Sequence, residues 1–168
     1  RYSFGDVDYL DKVSQSSEEF YNELVNNPIH PKTSQPPTGD FISMYKNLSS
    51  DYKSIISIHI PNKLSGTLQS SKNAINKIED MKITPIDSKN ASVGLGLIVQ
   101  SASQLSEKCD DHDVLVSKIE KLIKNTKIFL TVKDINFSIK GGRVPKYKGY
   151  IAKLLNMHPV LTTNEDGE

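Results

Sequence analysis

The 168-residue sequence predicts an α/β fold, a parallel sheet flanked by helices, on three observations. Short apolar runs at 54–60, 82–86 and 127–132 alternate with helical patterns at 67–80, 91–107 and 113–124. That alternation is the mark of parallel βα units in a three-layer domain. Strand 54–60 passes into the next helix through Ser65-Gly66-Thr67, beyond the carboxyl end of a strand, where such sheets bind ligands. After residue 133 the pattern breaks into short pieces around Gly141-Gly142-Arg143. Residues 1–133 are therefore expected to form the α/β domain, with a change of character over 134–168.

In chain order, Gly5-Asp6 separates two short aromatic and branched runs, which suggests a hairpin or edge pair. Ser16 or Ser17 is placed to cap a helix with Glu18 and Glu19 in its first turn, ending near Asn26-Asn27 because Pro28 follows. Residues 28–41 hold four prolines, so this stretch is neither helix nor central strand. It is a stiff loop presenting Lys32, Thr33, Ser34 and Gln35; an ordinary connector is the plainer alternative. Thr38 or Asp40 is expected to cap a helix through Phe41, Met44, Tyr45 and Leu48. Gly94 and Gly96 lie inside helix 91–107 without a third glycine or a preceding strand, so close helix–sheet packing explains them better than a dinucleotide site. A short helix over 134–139, a helix over 145–155 and a strand over 157–163 complete the series. The turn signal Asn164-Glu165-Asp166-Gly167 should open a hairpin, yet the chain stops at Glu168, so it reads as incomplete.

Composition excludes several function classes. A net charge of +1 gives no general field for nucleic acid, and no run of about 20 apolar residues is available to span a membrane. Cys109 is the only cysteine, so no intrachain disulfide forms and a reducing, cytoplasmic compartment is the simple reading. No metal is expected: His112 lies in Cys109-Asp110-Asp111-His112-Asp113, which lacks a second spaced cluster and reads as a helix cap. His59 reads as a satisfied core histidine, His30 as packed among prolines, and His158 has no evident partner.

The Ser65 turn points hydroxyls and unpaired helix amides at one spot, at the positive end of a helix dipole. This favours an anion, carboxylate or phosphate. Arg143 is one of two arginines among 21 basic residues, and only arginine offers a flat bidentate fork to an oxyanion.

The stretches SSEEFY (16–21), PKTSQPPTGDF (31–41), IHIPNKLSGTLQSS (58–71), IDSKNASVGLGL (86–97), KGGR (140–143) and LLNMHPVLTTNEDGE (154–168) resemble, in order, the DegV family of bacterial fatty-acid-binding proteins. The resemblance implies a fatty acid buried between an α/β domain and a smaller α+β second lobe, of which 134–168 would be the start. Its carboxylate would be held by Thr33, Ser65 and Arg143, with Ser34, Gln35, Gly66, Thr67, Gly141 and Gly142 in support. It also implies a missing first strand, no cofactor, no catalytic residue, and an ATP-dependent kinase subunit that makes acyl phosphate from the presented acid. Pro61-Asn62 departs from a Ser-Ser common in relatives. Burying about 14 methylenes contributes roughly 11 kcal/mol before association costs, and a buried carboxylate needs paired donors to keep that gain. Two alternatives are a serine esterase or lipase using Ser65, which lacks a recognisable base, and a phosphotransferase related to dihydroxyacetone kinases, which lacks phosphate-cradling loops.

Overall fold

The structure is a computed structural model that describes residues 1–132, 134–144 and 160–168. The expected helix 145–155, the start of strand 157–163 and His158 lie outside the described residues. Contacts divide the chain into two compact units, Arg1–Gln35 with Val132–Pro159, and Pro36–Thr131 with Val160–Glu168. The sequence suggested a single boundary near residue 133; the chain instead passes between units at three places.

The first unit is built on aromatic residues. Strands β1 (Tyr2–Phe4) and β2 (Val7–Tyr9) form an antiparallel hairpin with Tyr2 opposite Tyr9, and Gly5 turns the chain at φ 60°. Helix α1 (Ser17–Asn26) begins with a capping box: Ser16 accepts from the Glu19 amide at 3.2 Å while the Glu19 carboxylate accepts from the Ser16 amide at 2.7 Å. It brings Phe20 edge-on to Tyr2, which also stacks on Tyr9 at 5.1 Å. The proline-rich stretch contributes β3 (Lys32–Thr33), an edge strand placing Thr33 opposite Tyr2. Edge placement suits a strand with prolines close by. Helix α6 (Asn136–Lys140) belongs to the same unit.

The second unit has three layers. Strands β4 (Ser54–His59) and β5 (Lys82–Asp87) pair in parallel, Ser54 opposite Lys82 through His59 opposite Asp87. Their apolar face, with Ile56, Ile58 and Ile86, packs on α4 (Ser92–Ser106) and α5 (His112–Asn125), where Ile98, Ala102, Leu115, Ile119 and Ile123 are buried. The other face of β4 turns Ser57 toward Tyr45 of α2 (Thr38–Ser49), whose hydroxyl also reaches Ser71 of α3 (Thr67–Ile75). The period of two along β4 thus serves two helix layers.

Three expectations are corrected in detail. Helix α2 has Pro37 at its N-cap and no side-chain cap, so neither Thr38 nor Asp40 caps it; Pro37 at ψ 157° supplies the extended entry, and Asp40 sits in the first turn. Helix α3 ends at Ile75, not near 80: the Asn76 amide makes the last bond four residues back, to Lys72 O at 3.4 Å, while Lys77 and Ile78 tighten to three-residue bonds on Ala74 and Ile75. The third strand, β6 (Phe129–Thr131), pairs antiparallel with β7 (Val160–Thr162) and does not extend the parallel pair. Its neighbour Ile128 is the residue that enters the core, while Phe129 stays exposed.

Candidate functional site

In the second unit the chain leaves β4 through Pro61, which is fully buried. The Pro61 carbonyl accepts from the amides of Leu64 at 2.9 Å and Ser65 at 3.1 Å, winding the chain into a tight turn. Ser65 Oγ then meets Thr67 Oγ1 at 2.8 Å and accepts from the Thr67 amide at 3.3 Å. Gly66 occupies the N-cap of α3 with no side-chain cap, so the dipole's positive end is offered without a competing carboxylate. Ser65, Gly66 and Thr67 are half-buried. Among the described residues the Ser65 hydroxyl pairs with the Thr67 hydroxyl.

The loop after β5 braces this turn. Asp87 Oδ2 accepts from the Asn62 amide at 3.2 Å and from Lys89 Nζ at 3.1 Å. Lys89 itself lies at φ 53°, a left-handed conformation held by its amide donating to Asp87 Oδ1 at 2.9 Å.

In the first unit, Thr33 and Arg143 line one cavity of about 1030 Å³, at the upper end of small-molecule sites, roughly 300–1,000 Å³. Phe20, Leu24, Phe137 and Ile139 supply its apolar wall, and Lys32 and Lys140 add positive charge. Among the described residues that line it there is no carboxylate. Both Thr33 and Arg143 are exposed. The paired glycines have a local cause: Gly141 caps α6, and Gly142 at φ 78° ends it in the left-handed region. Arg143 follows with its amide on the Ser138 carbonyl at 3.0 Å and a guanidinium N–H on Gly141 O. One of the five guanidinium donors is engaged by this bond.

The structure thus brings Thr33 and Arg143 together and sets Ser65 at the head of α3 in the other unit. Of the expected supporting residues, Gly141 lines the cavity; Ser34 donates its amide to Arg1 O at 3.2 Å, and Gln35 is exposed. The sequence reading missed His30 and Lys140 as cavity residues. The His30 ring lies 5.7 Å from that of Phe137, and burial together with the Lys140 charge holds its pKa below the ordinary histidine value. The available signal was that Lys140 adjoins the glycine pair.

The remaining described histidines are structural. His59 is buried with Nε2 2.7 Å from Ser57 Oγ and the Phe41 ring edge-on at 5.5 Å. His112 bridges Ser54 and Thr84 at 2.9 and 2.7 Å, and Asp111 caps α5. Among the described residues no cluster of metal-binding side chains occurs, and no helix is long and apolar enough to cross a membrane.

A family model described as "Uncharacterised protein, DegV family" matches residues 2–168. A DegV domain-containing protein of Staphylococcus aureus is 40% identical over 157 residues, which cover 94% of this chain and 56% of that protein. A fatty acid binding DegV family protein from Streptococcus agalactiae has a solved structure with TM-score 0.89 at 28% identity, covering 99% of this chain and 59% of that one. A DegV family protein from Thermus thermophilus, described by its fatty acid binding, gives TM-score 0.87 at 28% identity with the same coverage. The chain spans between 56% and 59% of the length of these relatives.

Proposed function

This chain belongs to the DegV family, and from that premise we propose that the whole protein binds a long-chain fatty acid and presents its carboxylate to an ATP-dependent kinase subunit, which makes acyl phosphate. Thr33 and Arg143 hold the carboxylate, and Ser65, assigned from its motif, is the third donor. The observation that supports this most is the cavity of the first unit: a hydroxyl and a guanidinium stand beside aromatic and aliphatic walls, with no carboxylate among the described lining residues. Such a cavity suits a ligand with one anionic end and an apolar body. The chain is a carrier in this reading, needs no cofactor of its own, and Ser65 is not a nucleophile.

The full-length protein, purified and extracted into organic solvent, should release a long-chain fatty acid identifiable by mass spectrometry. Arg143→Ala should weaken displacement of a fluorescent fatty acid by palmitate roughly ten- to hundredfold, the scale of a hydrogen bond to a charged group, with the fold intact. Unchanged affinity would remove Arg143 from the site. Hydrolysis of an acyl ester that disappears in Ser65→Ala would overturn the carrier reading in favour of an esterase.

A further inference from the structure

Residues 164–168 form a closed turn that sits on the loops following β4 and β5. Within it, Asn164 Oδ1 accepts from the amides of Asp166 at 3.0 Å and Glu168 at 2.9 Å, and the Gly167 amide donates to Asn164 O at 3.0 Å. Outward, Lys89 Nζ donates to Asp166 O at 3.2 Å, and Lys63 pairs with Glu168 at 3.3 Å. These two lysines come from the two loops that Asp87 already ties together through the Asn62 amide.

Gly167 is the buried point of this strap, at φ 84°. A Cβ there would stand 2.9 Å from Pro61 Cβ and 3.2 Å from Lys89 Cδ, closer than carbon atoms pack. Lys89 has a flexible side chain able to yield. Pro61 is fully buried, and its carbonyl carries the amides of Leu64 and Ser65. Any displacement of Pro61 is therefore passed to Leu64 and to Ser65, through one hydrogen bond each.

We propose that Gly167 is a positioning residue for the Ser65 turn: the absence of a side chain lets residues 164–168 clamp Pro61, and Pro61 sets where Ser65 and the first turn of α3 stand. The consequence for ligand binding rests on the reading of Ser65 as a carboxylate donor; the consequence for the turn rests on geometry alone.

Two readouts on the full-length protein separate these layers. The first is affinity for palmitate and for hexadecan-1-ol, by displacement of a fluorescent fatty acid, in Gly167→Ala, Ser65→Ala and the double variant. Gly167→Ala should weaken palmitate roughly tenfold, the scale of one hydrogen bond to a charged group, and leave the alcohol unchanged. The double variant should lose no more than Ser65→Ala alone. Additive losses, or equal losses for acid and alcohol, would overturn the proposal by making Gly167 merely structural. The second readout is amide exchange at Leu64 and Ser65, which should quicken at least tenfold in Gly167→Ala relative to the β4 amides. Asn164→Ala, which unties the strap without touching Pro61, should quicken the same two amides and serves if Gly167→Ala does not fold. Unchanged exchange there overturns the positioning role. If Ser65→Ala leaves palmitate affinity intact while exchange quickens as expected, the positioning role stands and the assignment of Ser65 to the carboxylate fails.

Discussion

Gly94 and Gly96 share the first turns of α4, and the pattern Gly-Leu-Gly gives no reason to treat them differently. Their surroundings differ sharply. A Cβ on Gly94 would meet Asn90 Oδ1 at 2.8 Å and Ile128 Cβ at 3.1 Å, whereas nothing lies within 4 Å of one on Gly96. Asn90 cannot move aside, since it is buried and its amide nitrogen donates to the carbonyls of Ser88 and Thr126, both at 3.1 Å. Its Oδ1 makes no hydrogen bond among the described residues, so close approach of the Gly94 backbone is the contact that fills its space. Gly94→Ala should therefore destabilise the protein by about 1–3 kcal/mol through overpacking. Gly96→Ala should be neutral or stabilising by roughly 0.5–1 kcal/mol, the usual cost of a helical glycine. Urea midpoints at constant slope measure both, and equal shifts would show that the packing account of Gly94 is wrong.

At the scale of elements, β4 sends Ile56 and Ile58 to one face and Ser57 to the other. Tyr45 Oη lies 2.7 Å from both Ser57 Oγ and Ser71 Oγ, so one phenol links α2, β4 and α3. Tyr45→Phe keeps the ring and should still cost about 1–3 kcal/mol, because it leaves two half-buried or buried hydroxyls short of a partner. Adding Ser57→Ala to it should cost less than the two single losses summed, as a double-mutant cycle in urea would reveal; strict additivity would mean the hydroxyls act independently. None of this linkage is legible in the sequence, since serines 12 and 26 residues from Tyr45 carry no local signal. Local chemistry was legible: the Gly5 hairpin, the Ser16–Glu19 capping box, the apolar strands and the end of α1 before Pro28 all follow from residues a few positions apart. The pairing of β6 with β7 was not, because a partner strand far along the chain decided it, and the early end of α3 lies in local turns at 76–78 that the residue pattern does not announce. The candidate site divides the same way. Ser65 and Arg143 stand out as a hydroxyl and an arginine on turns, and Thr33 as one hydroxyl of a proline-stiffened stretch, while the cavity shared by Thr33 and Arg143 depends on the register of β3 and the cap of α6.

Across the whole molecule, groups with lowered pKa values occur in both units, His30 and Glu19 in the first among them, while the raised tyrosines lie in the first. In the second unit, burial pushes the pKa of His59 down against the pull of Asp87, and burial with the Lys82 charge does the same for His112. The folded state then binds fewer protons than the unfolded chain just below the ordinary histidine value of about 6.5. Stability of this unit should be full above that value, fall as pH drops through it, and level off below the depressed folded values. In the first unit, burial raises the pKa of Tyr2, with the Tyr9 charge adding to it, and burial with the Glu23 charge raises that of Tyr9. Their contribution is complete below the ordinary tyrosine value of about 10 and is lost as pH rises through the raised folded values. Lowered carboxylates add a second acid limb: Glu19, through its bonds to Ser16, and Asp113, through its bond to Lys82, lose their contribution as pH falls through their folded values, below the usual carboxylate range. Urea unfolding of the full-length protein at about pH 5, 7 and 10.5 should therefore give a maximum near neutrality. His59→Gln keeps a hydrogen-bonding group beside Ser57 and cannot take up a proton, so it should flatten the limb between about pH 7 and 5 and leave the alkaline limb unchanged. An acid limb of undiminished steepness in that variant would assign the loss to His112 or to groups outside this unit.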